Sequence, residues 1–155
     1  MKTLKIKNLF VIILYITTLH SCNNDDDNNP QTCNNQGLYY TLGSNSVSAP
    51  ETDLTTDLFP NNSIDPLSNQ PIPAVEIYGN DSNGDFVVFV TEVLNLNATG
   101  NADLIIGNNP TEVITVTCLA TDNVVGGLMR YQISGTYNNM TLNGEYCVTI
   151  DSVTP

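Results

Sequence analysis

The sequence predicts an all-β domain, a single antiparallel β-sandwich or flattened meander barrel of about seven strands, with room for one short helix. Three observations point there. Residues 112–120, EVITVTCLA, set Ile114, Val116 and Cys118 against Thr115 and Thr117, the period of two expected of a half-buried strand. Residues 129–148 hold two more runs of this kind around Asn138-Asn139. Between Ala74–Gly79 and Asp85–Leu94 stands Asn83-Gly84, the strongest short signal for a β-hairpin.

The elements follow in chain order. Leu38–Leu42 reads as a first strand. The polar stretch from Gly43 to Pro73 contains Pro50, Pro60, Pro66, Pro71 and Pro73. Within it Ser48-Ala49-Pro50-Glu51 has the form of a capping box, and Leu54 and Leu58 lie four apart. That spacing fits a helix of roughly two or three turns, with an irregular loop as the alternative. A type I′ turn at Asn83-Gly84 would set Tyr78 opposite Phe89 and Ile77 opposite Val90. Asp81-Ser82-Asn83-Gly84-Asp85 also invites a calcium-loop reading. With Gly84 as the sixth residue, however, the first and twelfth positions are Gly79 and Val90, and neither offers a ligand. A turn is the better assignment, and no metal site is expected.

Ala102–Ile106 and Glu112–Ala120 follow, joined through Gly107-Asn108-Asn109-Pro110. The last hairpin fixes its own register. A turn at Asn138-Asn139 pairs Tyr137 with Met140, Gly135 with Leu142, Ile133 with Gly144, Tyr131 with Tyr146 and Met129 with Val148. The other face then receives Thr136 with Thr141, Ser134 with Asn143, Gln132 with Glu145, and Arg130 with Cys147. A turn at Asn143-Gly144 would set Leu142 against Glu145 and break that segregation, because a slip of one residue flips every side chain.

At the N-terminus, Lys2, Lys5 and Lys7 precede an apolar run from Leu9 to Leu19. This is the pattern of a secretory signal, and the run is about half the roughly 20 residues a membrane-spanning helix needs. The junction Leu19-His20-Ser21-Cys22 resembles the lipobox of a bacterial lipoprotein precursor, matching at Leu19, Ser21 and Cys22 and departing at His20. The resemblance implies a diacylglyceryl group on the Cys22 thiol, cleavage after Ser21 and acylation of the new amine. Two or more chains would hold the protein stably to the outer membrane. Residues 1–21 are then the signal peptide, 22–36 an acidic flexible tether and 37–155 the β domain. The Asp25-Asp26-Asp27 cluster resembles the surface-export signal of Bacteroidota lipoproteins, which implies display on the outer face; a plain solvated spacer is the alternative. Asp151-Ser152-Val153 fits the short O-glycosylation consensus of the same group at Ser152, but a three-residue pattern recurs by chance and an ordinary strand end is the better reading.

Cleavage changes the chemistry available. All three lysines and the one histidine leave, so Arg130 stands alone against sixteen acids, a formal net of −15. Such a body repels phosphate backbones, which argues against nucleic acid as a partner. Without His, Lys or Trp it has no Ser-His-Asp triad, Cys-His dyad, Schiff-base lysine or imidazole-bound zinc. Nothing points to a cofactor, and no spacing singles out a catalytic carboxylate pair.

Setting Cys22 aside leaves Cys33, Cys118 and Cys147, so one disulfide and one thiol are expected in an oxidising compartment. The alternation turns Cys118 to the core and Cys147 to the opposite face. That favours Cys33–Cys147 and leaves Cys118–Cys147 open. The sequence thus predicts a non-catalytic lipoprotein, held to the membrane through Cys22, whose β domain binds a glycan, a protein partner or nothing specific and then serves a structural role. The face carrying Arg130, Gln132, Glu145 and Tyr78 is the candidate contact surface; the plain alternative is a cross-strand Arg130–Glu145 pair. A lipocalin-like carrier with an apolar cavity and a carboxylate hydrolase are the competing readings.

Overall fold

A computed structural model describes Cys33 and residues 35–154. The expected signal peptide, Cys22 and the acidic cluster lie outside the described residues. Within them, ten strands form one curled, mixed sheet, a half-barrel, rather than two stacked sheets. The strands are β1 (Gly37–Leu42), β2 (Asn45–Pro50), β3 (Leu54–Ile64), β4 (Pro71–Asn80), β5 (Phe86–Thr91), β6 (Thr99–Ile106), β7 (Glu112–Thr121), β8 (Leu128–Tyr137), β9 (Met140–Thr149) and β10 (Ser152–Val153). Their order across the sheet is β10-β3-β4-β5-β6-β7-β8-β9-β1-β2. From β3 to β9 this is a meander of hairpins, and only β10 lies parallel to its neighbour, β3.

The β8–β9 register is the one the segregation of side chains requires, from Tyr137 opposite Met140 to Met129 opposite Val148. The strand count and the helix need correction. Residues 45–50 and 54–64 are strands, separated by one 3-10 turn at Glu51–Asp53, and no capping-box helix forms. Leu54 and Leu58 share a face because β3 alternates, and the buried side chain between them is Thr56. A polar residue at that inward position hides the period of two, so the same leucines also satisfy the helical spacing. Two strands emerge where a helix or loop was expected, and β10 adds a short third.

The β4–β5 hairpin also departs from expectation, by one residue. Ile77 faces Phe89, and Tyr78 faces Val88. The turn spans the whole of residues 81–85, because Asp81 Oδ1 accepts the backbone N–H groups of both Asn83 and Asp85. Its other oxygen accepts the Tyr40 hydroxyl at 2.8 Å, so Asp81 is buried as a structural acceptor.

The concave side is filled by side chains. Phe89 packs against Tyr146 and Tyr131 with ring centroids 4.5 and 5.6 Å apart, surrounded by Leu38, Ile77, Val116 and Leu142. Gly144 lets β1 come in beside β9, since a Cβ there would stand 2.5 Å from Tyr40 Cβ. At the seam, Glu51 accepts the Thr149 backbone N–H at 2.6 Å, and Thr56 and Asp151 exchange two bonds of 2.8 Å. Carboxylates thereby take up the amide at the end of β9 and the Thr56 amide one residue before β3 meets β10. Cys33 and Cys147 stand at disulfide distance, with Cα atoms 6.1 Å apart. Cys147, turned to the opposite face by the alternation, is nonetheless buried beneath this link.

Candidate functional site

The rows of the sheet assemble a surface that no single strand contains. Partners across β7, β8, β9, β1 and β2 place Thr117, Gln132, Glu145, Tyr39 and Ser48 in one line. Two residues along, Ser134, Asn143, Thr41 and Ser46 form a second line. Both lie on the face away from the core, because Tyr40, Val47 and Tyr146 occupy the alternate, buried positions. Between these lines runs an open groove of about 660 Å³ lined by Tyr39, Thr41, Ser46, Ser48, Gln132, Asn143 and Glu145. Tyr39 is 40 % exposed and is the one aromatic ring that the groove presents to solvent, since Tyr40 beneath it is buried.

Arg130 flanks the groove. Its Nε and Nη2 donate to the two oxygens of Glu145 at 2.7 and 3.1 Å, a bidentate pair across β8 and β9. The bond to Glu145 raises the Arg130 guanidinium above its ordinary value. Such a half-exposed pair is worth about 1 kcal/mol or less. Its firmer effect is to hold the Glu145 carboxylate in one orientation at the groove wall.

Of the residues expected on this face, Gln132 and Glu145 line the groove and Arg130 borders it. Tyr78 does not belong with them. It sits on β4, four strands from β8, with its hydroxyl donated to Asp57 and its ring 6.3 Å from Phe86. Tyr39, Asn143, Ser46 and Ser48 were missed. Tyr39 and Thr41 alternate with apolar neighbours in β1, but nothing in the sequence says that β1 pairs with β9.

The remaining candidates are structural. Cys118 is buried and its thiol lies 3.5 Å from the Ala120 carbonyl, with its pKa raised by burial. Ser152 opens β10 and donates its hydroxyl to Asp57. Burial raises Tyr131 and Tyr146 above the ordinary phenol value, and neither hydroxyl has a hydrogen-bond partner among the described residues. No group of three or more His, Cys, Asp or Glu side chains is placed to hold a metal ion among the described residues. No helix there is long and apolar enough to cross a membrane. The chain matches no family model, no curated protein and no solved structure.

Proposed function

We propose that this protein is a non-catalytic lipoprotein, anchored to the outer membrane through Cys22, whose β domain binds a glycan in the groove of β8, β9, β1 and β2. The observation that carries the ligand reading is the lining: Tyr39 beside the amides of Gln132 and Asn143, with Thr41, Ser46 and Ser48 around them. A half-exposed phenol ring offers an apolar face to the C–H side of a pyranose, and side-chain amides both donate to and accept from neighbouring hydroxyls. Glu145 is the single carboxylate in the lining and is already paired with Arg130, which favours binding over hydrolysis. The packing of Phe89 against Tyr131 and Tyr146 favours a filled core over a lipocalin-like carrier. The acidic tether beside Cys22 supports display on the outer face.

A glycan array probed with the full chain tests this. Tyr39→Ala or Gln132→Ala should weaken the strongest glycan about tenfold, which corresponds to ~1.4 kcal/mol. Absence of any glycan signal, or unchanged binding in both variants, would contradict the groove as a saccharide site.

A further inference from the structure

The two ends of the sheet differ in what their turns expose. The antiparallel order places the β3–β4, β5–β6 and β7–β8 turns at one end. The β1–β2, β4–β5, β6–β7 and β8–β9 turns lie at the other. At the second end the connecting residues are Gly-Ser, Asp-Ser-Asn-Gly-Asp, Gly-Asn-Asn-Pro-Thr and Asn-Asn, without one Leu, Ile, Val or Phe. At the first end Leu67 is 96 % exposed, Leu96 46 %, Val124 57 % and Val125 62 %. The exposed Phe86, Val113 and Met140 stand at the second end on the opening residues of β5, β7 and β9, beside its turns and not in them.

These apolar tips are held in place. Asn69, Asn97 and Asn123, beside them, adopt φ of 56°, 63° and 51°, the left-handed conformation that Asn tolerates best after Gly. Asp65 accepts the Leu67 N–H at 2.9 Å and the Ser68 hydroxyl at 2.5 Å. Asp122 accepts the Leu128 N–H, and Gly127 donates to the Val124 carbonyl, both at 2.8 Å. Ordered turns that push Leu and Val into water gain nothing for folding, and clustered exposed apolar groups mark a contact surface. Among them opens a concavity of about 560 Å³ whose apolar walls are Leu58, Pro60, Ile72, Pro73, Leu94 and Val153.

The entering chain indicates what covers this end. β9 runs toward it and β1, antiparallel to β9, runs away from it, so the polypeptide enters the sheet from that side. Cys33 is tied to Cys147, and the eleven steps from Cys22 to Cys33 span at most about 36–40 Å. We infer that the end bearing Leu67, Leu96, Val124 and Val125 docks on the surface of the lipid bilayer, in its headgroup and upper acyl region. The docking rests on the lipid anchor at Cys22 to hold the domain close. No lysine or arginine occurs in these turns, and Asp65, Glu92 and Asp122 do, so the contact is apolar and suits a zwitterionic rather than an anionic surface.

The chain contains no Trp, so Leu67→Trp, Val124→Trp and Asn108→Trp each carry a lone indole, the last at the opposite end. Each lipidated full chain is reconstituted in phosphatidylcholine vesicles with or without bromine on the acyl chains. Leu67→Trp and Val124→Trp should lose emission to the bromine and shift to the blue, while Asn108→Trp does neither. Equal quenching at all three sites, or none, would overturn the docking. Flotation with the vesicles judges the anchor separately. A Cys22→Ala chain floating as well as its parent contradicts anchoring, whereas an anchored chain with unquenched indoles at 67 and 124 contradicts docking alone.

Discussion

At the scale of single residues, four buried or nearly buried tyrosines divide by what their hydroxyls do. Tyr40 donates to Asp81, and Tyr137 accepts the Ile106 backbone N–H at 2.8 Å. The hydroxyls of Tyr131 and Tyr146 have no such partner among the described residues. Removing a hydroxyl that satisfies another buried group strands that group, at about 1–3 kcal/mol. Removing one without a partner relieves a desolvation cost. Tyr40→Phe and Tyr137→Phe should therefore lower the urea midpoint clearly, while Tyr131→Phe and Tyr146→Phe leave it unchanged or raise it. Equilibrium unfolding of the four variants checks the contrast, and a uniform loss across all four would contradict it. Residue-level reading of the sequence reached the core positions of β7, β8 and β9 but not these hydrogen bonds. Their partners, Asp81 and Ile106, sit 41 and 31 positions away.

At the scale of elements, the sheet depends on carboxylates where strand pairing stops. Glu51 receives both the N–H and the hydroxyl of Thr149, tying the 3-10 turn to the end of β9. Glu51→Ala should cost about 1–3 kcal/mol by stranding a partly buried amide, and Glu51→Gln, which keeps an acceptor, should recover much of that loss. Thermal unfolding of the pair provides the check; equal melting temperatures for Ala and Gln would place the stabilisation elsewhere. The same region shows why legibility was uneven. The β8–β9 hairpin could be read because its two faces differ in polarity at nearly every pair, so one register satisfies both strands. β3 could not, because Thr56 occupies an inward position and Leu54 and Leu58 suit either period. The β4–β5 turn slipped by one because the Asp81 carboxylate, not Asn83-Gly84 alone, sets its length. Only a part of the groove was legible, for a related reason. Gln132 and Glu145 belong to one local hairpin, whereas Tyr39 joins them through a pairing between β1 and β9 about a hundred residues apart in sequence.

At the scale of the whole molecule, the readings converge on one orientation. With the proposed lipid on Cys22 and with Cys33 at disulfide distance from Cys147, the domain would rest on its apolar turns and leave the flank carrying Tyr39, Gln132 and Asn143 open to a ligand. With Arg130 set against sixteen acids from residue 22 onward, attraction to anionic partners has little part in this arrangement. Everything in it hangs on the proposed processing at Cys22. The direct measurement is the intact mass of the protein extracted from membranes, before and after reduction. The expected species is a chain beginning at Cys22, heavier by a diacylglyceryl group and an amide-linked acyl chain, and heavier by two further hydrogens after reduction of one disulfide. A chain that retains residues 1–21, or one that begins near Cys22 without added lipid, would contradict it.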